Sequence, residues 1–71
     1  MTYGYIEDLK FAVEEFDQGG NLIEVLGRLH DLDAARAAYT ACRITYPKKL
    51  LYLCQGGRTL RRSDRDEMRS L

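Results

Sequence analysis

The chain has 71 residues, 45% of them hydrophobic and 31% charged, with a formal net charge of zero. That length makes one minimal domain spanning residues 1–71, which buries only about 60% of the surface its unfolded form exposes, so its core must be thin. The composition excludes a disordered, apolar-depleted chain, and no run approaches the roughly 20 apolar residues of a membrane-spanning helix.

The charges are unevenly placed. Met1 to Ala35 carries eight acids against Lys10 and Arg28, a net −6, and the remainder carries nine bases against Asp64, Asp66 and Glu67, a net +6. Either the two halves attract each other across the fold, or a basic surface meets an acidic partner or the acidic end a basic one. Met1-Thr2-Tyr3 opens without the charged start and apolar run of an export signal, which points to the cytoplasm, where thiols stay reduced. Spacing alone leaves a Cys42–Cys54 bridge open, and a reducing compartment argues against it.

In chain order, Tyr3 to Leu9 fits a short amphipathic helix. Residues 11–29 then support two readings. As strands, Phe11, Val13 and Glu15 alternate with Ala12 and Glu14, Asp17-Gln18-Gly19-Gly20-Asn21 makes a turn, and Leu22 to Leu26 returns against Phe11 to Phe16. As helices, Tyr5, Leu9, Ala12 and Phe16 share one face, Gly19-Gly20 stops the chain, and Asn21 with Glu24 forms a capping box ahead of Leu22, Val25, Leu26 and Leu29.

From Asp31 to Tyr46, Leu32, Ala35, Tyr39, Cys42 and Tyr46 fall on one helical face, five alanines reinforce the helix, Asp31 or Asp33 caps its start and Pro47 ends it. Beyond it, Leu50 to Gln55, Gly56-Gly57 and Arg58 to Ser63 read as a tight hairpin whose glycines supply positive φ. Pairing Gln55 with Arg58 sets Cys54 opposite Thr59, Leu53 opposite Leu60 and Tyr52 opposite Arg61. Leu51, Leu53 and Leu60 then face the core, with Tyr52, Cys54, Thr59 and Arg61 on the other side. Ser63-Asp64-Arg65-Asp66 carries a capping pattern for a final short helix.

The stretch from Asn21-Leu22-Ile23-Glu24-Val25-Leu26 through Asp33-Ala34-Ala35-Arg36-Ala37-Ala38-Tyr39 to Tyr46-Pro47 and Gln55-Gly56-Gly57-Arg58 resembles a class of short uncharacterised bacterial proteins. The resemblance covers about two thirds of the chain and implies a hairpin, helix, hairpin order, with no function attached. The expected fold is therefore a small α+β domain, ββαββ. The alternative is three helices plus a C-terminal hairpin, as in a winged helix.

No catalytic, metal-binding or cofactor-binding set emerges. His30 is the only histidine, Ser63 and Ser70 the only serines, and two cysteines twelve residues apart do not make a zinc site. Glu7-Asp8 and Glu14-Glu15 are adjacent pairs that point apart and read as a solvated face. Gly56-Gly57 lacks the lysine and hydroxyl residue of a nucleotide-binding loop.

The one constellation with chemistry is a basic ribbon of Lys48, Lys49, Tyr52, Arg58, Arg61, Arg62 and Arg65. It could neutralise phosphates, or guard an exposed strand while Tyr52 and Arg61 stack across it. The leading expectation is a non-enzymatic protein-binding module that self-associates through an uncovered sheet face or its opposed charges, with no small-molecule substrate. A nucleic-acid-binding accessory protein is the alternative. A small phage or mobile-element effector that blocks a host protein also fits the size.

Overall fold

The two-residue alternation of Phe11–Phe16 makes it a strand (β1), and it occupies the middle of the structure because both of its faces carry apolar side chains. The computed structural model describes residues 10–66. The amphipathic helix expected over Tyr3 to Leu9 lies outside them. Around β1 stand β2 (Leu22–Leu29), β3 (Leu50–Gln55) and β4 (Arg58–Arg62), in the order β2-β1-β3-β4, every neighbouring pair antiparallel. Helix α1 (Leu32–Thr45) connects β2 to β3 across β1, and a single turn, α2 (Ser63–Asp66), follows β4. This is the ββαββ order, and the winged-helix alternative is overturned because Leu22–Leu29 is a strand.

The first turn forces that result. Asp17 Oδ1 accepts from the backbone N–H groups of Gly19 and Asn21, both at 2.9 Å, and Gly20 sits at φ 88°, where residues with a Cβ are strained. The chain returns antiparallel, Phe11 opposite Leu29 and Phe16 opposite Leu22. The return strand runs to Leu29, three residues past the expected Leu26.

A bulge explains why β2 resembles a helix in sequence. Val13 pairs with Gly27 but Glu14 pairs with Val25, leaving Leu26 as an extra residue. Leu26 and Leu29 therefore both pack on the core, although strict alternation would send them to opposite faces. A second irregularity leaves Ile23 unpaired between Glu24 and Leu22.

Helix α1 begins as expected, with the Asp31 side chain accepting from Ala34 N at 2.8 Å. It ends at Thr45, where Tyr46 N donates to Cys42 O at 2.8 Å ahead of Pro47. Ala35 and Tyr39 are buried against Phe11, Val13, Leu51 and Leu53, with Leu26, Leu29, Ala38, Cys42 and Leu60 around them. The other two members of the expected helical face, Leu32 and Tyr46, stand at the helix ends and stay exposed.

The second hairpin pairs Gln55 with Arg58 and Cys54 with Thr59 as expected, then departs. Leu53 lies opposite Arg61 and Tyr52 opposite Arg62, so the expected pairs Leu53–Leu60 and Tyr52–Arg61 do not form. Leu60 is the bulged residue, and the bulge lets it reach the core. Of the two glycines only Gly56 has positive φ, 59°. At the start of α2 the Ser63 hydroxyl accepts from Leu51 N at 2.9 Å and donates to Lys49 O at 3.4 Å, tying the end of β4 to β3.

Candidate functional site

The seven residues of the basic ribbon do not form one patch. Lys48 and Lys49 lie in the turn between α1 and β3, Tyr52 and Arg62 on the sheet face away from α1, Arg58 beside the hairpin tip, and Arg65 in α2. Arg61 shares the side of Leu53, which faces α1, because the bulge shifts β4 by one position. The expected outward partner of Tyr52 is corrected from Arg61 to Arg62.

Lys49 and Arg62 are engaged internally. Lys49 Nζ donates to Glu15 Oε1 at 3.1 Å. Glu15 is buried, at 8% exposure, so the expectation that Glu14-Glu15 forms a solvated face fails for Glu15. A carboxylate in that position requires a partner, and the turn supplies it. Arg62 meets Asp64 through two hydrogen bonds, Nε to Oδ1 at 3.1 Å and Nη2 to Oδ2 at 2.9 Å, while its guanidinium lies 4.8 Å from the Tyr52 ring centroid.

On the face away from α1, Tyr52 also stacks on Phe16, centroids 4.2 Å apart and planes at 28°. Arg62, Tyr52 and Phe16 thus make one row across β4, β3 and β1, with Leu22 opposite Phe16 on β2. Sequence reasoning missed Phe16 here because it had no register for β1 against β3. Val25, opposite Glu14, belongs to the same face. Leu22 and Ile23 are 52% and 54% exposed.

Cys54 lies beside this row. Its thiol donates to Glu14 Oε1 at 3.5 Å, and burial, with the Glu14 charge adding to it, pushes the thiol up to about 11. A thiol held protonated is a poor nucleophile. Cys42 belongs to α1 and packs against the opposite side of the sheet, so the sheet separates the two sulfurs and both are free.

A cleft of about 650 Å³ opens where α1 ends. Ile44, Tyr46, Pro47 and Leu50 supply its apolar lining, and Arg43 and Lys48 stand with them. A signal for it was present in the sequence: Ile44 is the large apolar residue of α1 that falls off the Leu32/Ala35/Tyr39/Cys42 face.

Among the described residues, no group of three histidine, cysteine or acidic side chains could hold a metal ion, and no helix is long and apolar enough to cross a membrane. The chain matches no family model, and no curated protein or solved structure is significantly similar to it.

Proposed function

We propose that this chain is a non-enzymatic protein-interaction module that pairs with a second copy of itself through β2 and the adjoining sheet face. The observation that carries the reading is the exposure of Leu22 and Ile23, more than half open at the start of an edge strand, with Leu22 on the sheet face that also carries Phe16, Val25 and Tyr52. Contiguous apolar surface at a sheet edge is where a small domain gains most by association, since its own core is too thin to enclose it. The opposite edge, β4, carries Arg58, Arg61 and Arg62, which discourage strand pairing there and direct association toward β2.

Sedimentation velocity at tens of micromolar tests it. The expected result is a dimer that persists from low to high salt, because the contact is apolar, and that Leu22→Asp with Ile23→Asp converts to monomer. A strict monomer at every concentration overturns the reading.

A second reading, nucleic-acid binding, rests on the exposure of Arg58 and Arg65 along β4 and α2. The pairing of Lys49 with Glu15 and of Arg62 with Asp64 weakens it, since those cations would have to break an internal bond to reach a phosphate.

A further inference from the structure

We infer that the cleft at the C-terminal end of α1 is a second, separate docking site, which takes an acidic segment of another protein anchored by an apolar side chain. Ile44 is 75% exposed, although it sits in the last turn of a helix whose other face is buried. A single exposed isoleucine is unremarkable. Here it shares one concavity with Tyr46, 40% exposed, and with Pro47 and Leu50. Clustered apolar surface inside a cleft of this volume is suited to enclosing one or two side chains of a partner.

The charges select the partner. Arg43 lies 5.7 Å from the Tyr39 ring centroid and Lys48 is exposed. Among the described residues the lining has a single carboxylate, Asp64, and Arg62 already holds it with two hydrogen bonds. The Lys49 ammonium is neutralised by Glu15 and covers the Tyr46 ring at 5.2 Å. What remains unbalanced at the rim is positive, and an apolar pocket with a positive rim complements an acidic segment bearing a leucine or phenylalanine.

The walls are pre-organised. Tyr46 N and Lys49 N donate within the turn, to Cys42 O and Tyr46 O, and Ser63 bridges Leu51 N and Lys49 O. A ligand therefore meets a shape that is already set, which lowers the ordering penalty of binding.

The probe is a fluorescein-labelled synthetic peptide with Leu-Phe between paired glutamates, compared with the same peptide flanked by lysines, using the full chain and fluorescence anisotropy. The acidic peptide should bind with a micromolar Kd that weakens with added salt, and the lysine peptide should not. Ile44→Ser and Lys48→Glu, both at exposed positions, should each weaken binding about tenfold or more. Backbone amide shifts should move at Thr40, Ile44, Lys48 and Leu50 and stay still at Ala12 and Val25. Equal binding of the two peptides, no binding up to millimolar concentration, or shifts confined to the sheet face overturns the proposal. If Ile44→Ser abolishes self-association, the cleft is an interface between copies and the proposal fails. Leu22→Asp with Ile23→Asp should leave peptide binding intact, which separates this site from the proposed dimer contact.

Discussion

Lys49 reaches from the turn after α1 to Glu15 on the central strand, Nζ to Oε1 at 3.1 Å, and joins the two oppositely charged halves of the chain at one point. The pair is asymmetric: the Glu15 side chain is 10% exposed and that of Lys49 40%. Removing the lysine strands a carboxylate in the interior, whereas removing both charges leaves none.

Lys49→Met is accordingly expected to destabilise the fold by about 1 to 3 kcal/mol, and Glu15→Leu combined with Lys49→Met to recover most of that loss. Urea unfolding of the two single variants and the double variant measures it. Additive losses would show that the two side chains do not act as a pair.

Leu53 is 1% exposed and packs with Val13, Leu51 and Tyr39. Leu53→Ala should cost about 2 to 5 kcal/mol, against a total stability of roughly 4 to 10 kcal/mol for a chain of this length. Thermal unfolding should therefore show a large drop in Tm or no cooperative transition. Ile44→Ala, at an exposed position, should change it little.

Asp17 accepts from the backbone of Asn21 and Gly19 and from the Asn21 side chain, and these bonds hold its carboxyl below the usual 3.8. A carboxyl lowered in the folded state contributes stability above its unfolded pKa and loses it as pH falls through the lower folded value. Asp17→Asn should lower Tm at pH 7, and the gap to wild type should close as pH falls below about 4. A gap independent of pH would mean that the charge is not what the turn uses.

Cys54 runs the other way. Its folded pKa, about 11, stands above the ordinary 9.0, so its contribution is complete below pH 9 and is lost as pH rises toward 11. Iodoacetamide labelling read by mass spectrometry should modify Cys54 of the folded protein at pH 8 far more slowly than the same cysteine in urea. Its pH–rate midpoint should lie near 11. Equal rates in the two states would contradict the Glu14 contact and the burial.

If the intact protein binds duplex DNA or RNA at all, Arg58→Ala and Arg65→Ala together should lower the log–log salt slope of binding by about 2, one unit for each lost phosphate contact. Arg62→Ala should change it less, because Asp64 already neutralises that guanidinium. No binding at roughly 50 mM salt, where electrostatic attraction is strong, removes the nucleic-acid reading.

Local chemistry alone determined the elements whose signals lie within a few residues of each other. Asp31 and Pro47 bracket α1, the Asp17–Asn21 cluster makes the first turn, and Gly56-Gly57 makes the second. These are short-range hydrogen bonds and backbone preferences, which a sequence states directly. The tertiary structure decided what depends on register. Two bulges, at Leu26 and Leu60, each shift a strand by one residue, and because side chains alternate every second position a one-residue shift reverses the faces beyond it. That shift moves the Tyr52 contact from Arg61 to Arg62, and in β2 it lets Leu26 and Leu29 share the core in a helix-like spacing. Pairing across the sheet likewise brought Glu15 to Lys49 and Phe16 to Tyr52, contacts between residues 34 and 36 positions apart that no local pattern encodes.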